Sequence, residues 1–171
     1  FNFFNSSKPF SNGYGKTKGF LHEGGIRVPM IVSWPNRIKP GSTSDHISSF
    51  YDVLPTLCDI AGANIPDKID GISFKNTLLN TKQKTHDFLY WEFPSYKGQQ
   101  AVRIGKWKGI RKNIFDGNMK IELYNLENDL GEEIDLSKDH PDIIKRIEKI
   151  MIQEHETAEL DRFKFKELND I

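Results

Sequence analysis

Cysteine is almost missing from this chain: among 171 residues only Cys58 carries a thiol. A single cysteine makes no internal disulfide, so the fold must be held by its core. An excess of one charge is missing too. Lys plus Arg and Asp plus Glu each number 24, for a formal net charge of zero, and a chain without a basic excess does not bind nucleic acid through bulk electrostatics. No apolar run approaches the roughly 18 residues of a membrane-spanning helix. The opening Phe1-Asn2-Phe3-Phe4 has neither Met nor a basic leader, so the chain is expected to continue a longer protein. Repeats and low-complexity tracts are absent. His22, His46, His86, His140 and His155 form no H-x3-H pair, and no Ser-His-Asp set, paired carboxylates or metal-ligand spacing stands out. What remains is a chain long enough for a domain with a real core.

The richest stretch is KGFLHEGGIRVPMIVSWP, residues 18 to 35. Lys18 sets a cation at the start of a turn-like segment. Glu23-Gly24-Gly25 then offers a backbone able to take positive φ and to pass close to another group without a Cβ in the way. Residues 26 to 32 are β-branched and apolar, as in a strand buried in a sheet, and are expected near the edge of a larger sheet that lies mostly outside this chain, with the 52–61 helix packed near it. On these residues alone Lys18 is either a solvated surface lysine or a cation presented to an anion by a loop on a rigid scaffold. His22 either donates to a substrate oxygen or packs. Lys16, two residues earlier, is expected in solvent.

Residues 1 to 17 read as a loop, with Asn5 and Asn12 as turn residues. Asp52 makes an N-cap for a helix that Gly62 stops, with Leu54, Leu57, Cys58 and Ala61 on a buried face. Cys58 is therefore expected to be a buried, inert thiol. A short helix is expected near Phe74 to Leu79. From Phe88 the character is β: 88–93, 100–104, 106–111 and 120–126 read as strands, punctuated by Gly98, Gly105 and the hairpin signal Asp116-Gly117. They form an antiparallel meander that needs a covered face. The cover is a helix over about 141–157, opened by Pro141 and Asp142. Its stripe of Ile143, Ile147, Ile150 and Met151 serves the core or a partner groove. The charged tail, 158–171, is expected to fray. Glu92 either reaches a sugar hydroxyl or faces solvent from an edge strand.

The pattern K-x4-E-G-G-x-R-x-P resembles the sulfatase family of the alkaline phosphatase-like superfamily. Further segments resemble it in order: DVLPTLCDIAG at 52–62, Asp70-Gly71-Ile72-Ser73, Tyr90-Trp91-Glu92-Phe93, Ala101-Val102-Arg103, Gly105-Lys106-Trp107-Lys108, and ELYNLENDLGEEIDL at 122–136, with Leu130 where proline is usual. The resemblance spans about residues 15 to 155. It implies an α/β fold: residues 1–87 as the end of the catalytic domain, with site loop, strand and helix, and 88–171 as a four-stranded antiparallel subdomain covered by a C-terminal helix. It implies a sulfuric ester hydrolase in which Lys18, five residues before Glu23, contacts the sulfate, with His22 and Glu92 as candidate substrate contacts.

The family's nucleophile is a formylglycine made within C/S-x-P-x-R. Cys58-Asp59-Ile60-Ala61 is not that motif, and no metal ligand is assigned within the chain. By resemblance the formylglycine and the Ca²⁺ ligands lie upstream, in a missing N-terminal part of the same protein, and this chain alone is expected to be inactive. The implied partner is a sulfated small molecule or glycan, with no nucleic acid and no membrane. Family resemblance implies a periplasmic or extracellular place. Two rivals remain open: a phosphodiesterase or phosphonate hydrolase of the same superfamily, and a non-catalytic glycan-binding module built on the small sheet.

Overall fold

The computed structural model describes residues 7–10 and 13–170; Asn5 and Asn12 lie outside them. The helical segments are α1 (Glu23–Ile26), α2 (Val53–Ala61), α3 (Lys75–Leu78) and α4 (Pro141–Glu154), and the strands are β1 (Leu89–Phe93), β2 (Gln99–Ile104), β3 (Trp107–Lys112) and β4 (Ile121–Asn125). The chain parts into two compact units, 29–87 and 1–28 with 88–171. The Lys18 loop groups with the C-terminal sheet in the larger of them.

In the larger unit the four strands run antiparallel in the order β1-β2-β3-β4, the meander expected from four short runs joined by short connections. Alternation sends successive side chains to opposite faces, and both faces are buried. On one, Val102, Ile121 and Leu123 meet Ile147, Ile150 and Met151 of α4. On the other, Ala101, Ile110, Tyr124 and Leu126 meet Leu21. The helix cover was legible in the sequence; the second cover, from the N-terminal segment, was not. Gly109 pairs with Val102 and Leu123 directly under α4, where a Cβ would stand 2.8 Å from Ile147 Cγ2. Asp116-Gly117 does not make a tight hairpin. It closes a 3-10 turn, Ile114–Asp116, inside the longer β3–β4 connection.

The tail packs instead of fraying. Phe165 is fully buried, and the Asp170 carboxylate accepts from the Phe165 N–H at 2.7 Å and the Thr157 hydroxyl at 2.9 Å. His155 bridges the tail to the sheet, with Nδ1 2.8 Å from Glu92 and Nε2 2.9 Å from Asp170.

The smaller unit is organised by Asp52. Its buried carboxylate accepts from the N–H groups of Ser49 and Ile72, both at 2.7 Å, and lies 2.8 Å from His86 Nε2. Thr56 donates to the Asp52 carbonyl and accepts from the Phe74 N–H. At Gly71 a Cβ would fall 2.0 Å from the Tyr51 carbonyl oxygen. The segments DVLPT and DGIS are therefore two halves of one hydrogen-bonded unit.

Two expectations fail here. On α2, Pro55 and Thr56 are buried, while Leu54 and Leu57 are exposed and Cys58 is only half-buried. Residues 27–34 form no strand, and Ile31 is 94% exposed. A strand needs ladder partners for its backbone groups, and none pairs with this run among the described residues.

Burial disfavours the His155 cation, but its hydrogen bonds to Glu92 and Asp170 outweigh that and raise its pKa above the ordinary 6.5. A raised pKa stabilises the native state fully below 6.5, and the contribution disappears as pH rises through the raised value. The stability difference between wild type and His155→Ala, from urea denaturation, is expected to be larger at about pH 5.5 than at about pH 8.5. An equal difference at both would show that the bridge does not titrate.

Candidate functional site

The loop carrying Lys18 is fixed at every residue around it. A turn closes with the Phe20 N–H donating to the Thr17 carbonyl at 2.9 Å. The buried Gln99 side chain brackets the next step, accepting from the Leu21 N–H at 3.2 Å and donating to the Gly19 carbonyl at 3.0 Å. Leu21 enters the core. The left-handed backbone falls on Gly19, at φ 90°, not on the Gly24-Gly25 pair. Gly25 is required for a different reason: a Cβ there would lie 2.0 Å from the Phe20 carbonyl oxygen and 2.6 Å from that of Thr17.

Glu23 locks the end of this loop into the sheet. Its buried carboxylate takes the ammonium of Lys108 at 2.7 Å, with Arg27 at 3.3 Å and Arg103 at 3.8 Å. Lys108 is itself fully buried and forms an ion pair with Glu132 at 3.1 Å. The circle closes where the Glu132 carboxylate accepts the Glu23 N–H at 2.7 Å. Burial pushes the Glu23 carboxyl up, but Lys108, Arg103 and Arg27 together hold it below the usual range. For Glu132 burial prevails over Lys108, and its carboxyl is raised. Lys16 joins this assembly by donating to the Glu132 carbonyl and lies 5.8 Å from the Tyr124 ring centroid. It is half-buried, not solvated.

Lys18 stands apart. It is exposed and makes no hydrogen bond or ion pair among the described residues. His22 points the other way: it is fully buried, and neither ring nitrogen has a hydrogen-bond partner among the described residues. Burial, then the charges of Lys112, Lys108 and Lys16, lower its pKa to about 3, so the ring is neutral and packs near Tyr124. Glu92 lies elsewhere, on β1, where one carboxylate oxygen serves Tyr90, Gln100 and His155. The structure therefore does not bring Lys18, His22 and Glu92 to one surface. Gln99, Lys108 and Glu132, which hold the loop, were missed by sequence reading. The available signal was a lysine between Trp107 and Gly109 in β3 and a Gln-Gln pair opening β2. Among the described residues no group of three or more His, Cys, Asp or Glu side chains is arranged to hold a metal ion.

The family described as N-sulphoglucosamine sulphohydrolase, C-terminal, matches residues 14–166. An uncharacterized sulfatase of Schizosaccharomyces pombe is 36% identical over 83% of this chain and 27% of its own length. Human arylsulfatase A is 42% identical over 53% of this chain and 18% of its own. A solved structure described as a complex with its substrate, D-glucosamine-2-N,6-O-disulfate, aligns at TM-score 0.68 and 28% identity, covering 78% of this chain and 29% of that one. The chain spans about a quarter to a third of the length of the curated relatives that cover most of it.

Removing one member of a buried ion cluster leaves the others uncompensated. Lys108→Met, which strands Glu23 and Glu132 against each other, is expected to cost about 3–5 kcal/mol in chemical denaturation; a loss below 1 kcal/mol would show that the cluster does not hold the loop. His22 gives a pH signature. Between pH 6.5 and about 3 the unfolded chain takes up a proton that the native ring does not, so stability falls on acidification by up to about 1.4 kcal/mol per pH unit. His22→Phe is expected to flatten that slope, measured by melting between these limits.

Proposed function

This chain belongs to the sulfatase family, matching its C-terminal region, and on that premise we propose that the whole protein hydrolyses sulfate esters of carbohydrates with Lys18 binding the sulfate. The observation that carries this reading is the contrast around Lys18. Every neighbouring residue of the loop is hydrogen-bonded, packed or ion-paired, while the one ammonium at its apex is exposed and unpaired. A cation carried on a fixed loop without an internal counter-ion is available to an external anion. Lys18 donates a charge-assisted hydrogen bond to a sulfate oxygen, stronger than a neutral one, and stabilises charge that develops on that group during transfer to water. A carbohydrate ester is supported by the substrate named for the glucosamine-disulfate complex.

The nucleophile, read as a formylglycine, and the Ca²⁺ ligands belong to residues upstream of this chain. The donors present do not fit a Ca²⁺ site, because among the described residues no group of three or more His, Cys, Asp or Glu side chains is arranged to hold a metal ion. His22 and Glu92 support the site from within, His22 by filling the space beneath the loop and Glu92 by anchoring the tail. A periplasmic or extracellular location accompanies this reading.

Steady-state kinetics of the whole enzyme test it. Lys18→Ala is expected to cost about 2–4 kcal/mol of transition-state stabilisation, as for an oxyanion-hole donor, or roughly 30- to 1000-fold in kcat/KM. Lys18→Arg should rescue poorly, because a planar fork does not replace a compact point charge. Lys16→Ala should lower the melting temperature through its Glu132 contact and leave Lys18 in place. Full kcat/KM in Lys18→Ala would end the assignment.

A further inference from the structure

Three aromatic rings gather on the loop that carries Lys18. Tyr14 meets Phe20 edge-on at 6.3 Å between centroids, and Phe20 meets Tyr96 at 4.8 Å with a 36° tilt. Aromatic rings that serve only the core are covered. Here Tyr14 is 86% and Tyr96 54% exposed, and neither hydroxyl makes a hydrogen bond among the described residues. The Tyr96 ring lies flush against the backbone that carries Lys18: a Cβ on Gly19 would stand 2.3 Å from Tyr96 Cε2. The gap that glycine leaves at position 19 is what lets the ring sit against the loop.

The backbone under Tyr96 is in an unfavourable conformation that the surroundings hold in place. Tyr96, Lys97 and Gly98 have φ of 51°, 69° and 77°, three successive left-handed residues of which two carry a Cβ. From below, Gly98 sits on the Phe165 ring, and the Lys97 and Gly98 carbonyls accept from the N–H groups of Phe115 and Ile114. Lys97 is tied to Asp116 at 2.7 Å. A bulky residue kept in the left-handed region by its surroundings is a marker of function. The half-exposed ring is the product of this arrangement.

We propose that Tyr96, backed by Phe20 and edged by Tyr14, is a stacking platform for the pyranose ring of a sulfated sugar whose sulfate meets Lys18. This rests on the reading of Lys18 as the sulfate contact and adds the part of the substrate that Lys18 does not touch. The chemistry suits a sugar ring. The electron-rich face of an aromatic attracts the polarised C–H bonds of a pyranose, and the free phenol hydroxyls remain to bond its hydroxyl groups. Inorganic sulfate needs the cation and no ring. A protein partner needs an apolar area far beyond these side chains.

The test compares N-acetylglucosamine 6-O-sulfate as substrate with inorganic sulfate as inhibitor of the whole enzyme. Tyr96→Asn removes the ring with a residue that accepts positive φ, and Tyr96→Phe keeps the ring. Tyr96→Asn is expected to raise KM for the sugar sulfate about five- to tenfold, of the order of one aromatic contact. It should leave kcat and inhibition by inorganic sulfate nearly unchanged, and Tyr96→Phe should restore most of the affinity. Tyr14→Ala, at an exposed position that does not endanger folding, should raise KM about two- to threefold and decides the matter if Tyr96→Asn melts early. An unchanged KM in folded variants overturns the platform, as does a wild-type enzyme that engages the sugar sulfate no better than inorganic sulfate. If Tyr96→Asn is silent while Lys18→Ala abolishes sulfate inhibition, the platform falls and Lys18 stands. If KM follows Tyr96 while sulfate inhibition ignores Lys18, the sulfate assignment falls, and with it the pose in which a sulfate on Lys18 places a sugar on Tyr96.

Discussion

The buried triad of Glu23, Lys108 and Glu132 is the constraint on which the larger unit depends. Its members come from the Lys18 loop, the middle of β3 and the segment after β4. The Glu23 side chain and its own N–H are bonded to positions 85 and 109 residues away. A fully buried ammonium tolerates no slack, since a one-residue slip would leave it unpaired in a medium where that costs several kcal/mol. The triad therefore fixes the register of the N-terminal segment on a sheet whose apolar face alone would accept several seatings. Gln99 repeats the device two residues earlier, bonding a carbonyl and an N–H of the same loop.

Much of this unit was legible in the sequence because the signals are local. Short strand-like runs punctuated by Gly98, Gly105 and Asp116-Gly117 marked β1 to β4, and Ile143, Ile147, Ile150 and Met151 marked the face of α4. Glycine was legible as a need but not as a mechanism: Gly25 is required by close approach, and the positive φ belongs to Gly19. The misreadings share a cause. Val28, Met30 and Ile31 are apolar and β-branched enough to suggest a buried strand, and α2 shows Leu54 and Leu57 at helical spacing. Periodicity reports what a segment is suited to bury, and says nothing about whether the covering surface lies within the chain.

The ion cluster and the tail were illegible for the opposite reason. Lys16, Lys108 and the charged residues near position 170 look solvated by composition, since lysine and aspartate are rarely buried. They become interior only because partners distant in sequence neutralise them. Glu92 shows how this changes a residue's meaning. An edge-strand carboxylate reads as available to a ligand, yet Tyr90, Gln100 and His155 converge on one of its oxygens. His155 in turn holds Asp170, so this carboxylate reaches the tail through a single imidazole.

The contrast between Lys108 and Lys18 explains how one short stretch serves both fold and chemistry. Both ammonium groups belong to the same unit, and the chain spends its carboxylates on one of them. Glu23 and Glu132 neutralise Lys108, and Arg27 and Arg103 crowd the remaining oxygen of Glu23, and among the described residues no acidic side chain pairs with Lys18. A counter-ion within reach would have satisfied Lys18 internally and screened it from any ligand. The loop therefore needs its glutamate turned inward as much as its lysine turned outward. Gly19 and Gly25 allow both in a segment this short, the first by turning the backbone and the second by letting α1 close against the carbonyls of Thr17 and Phe20.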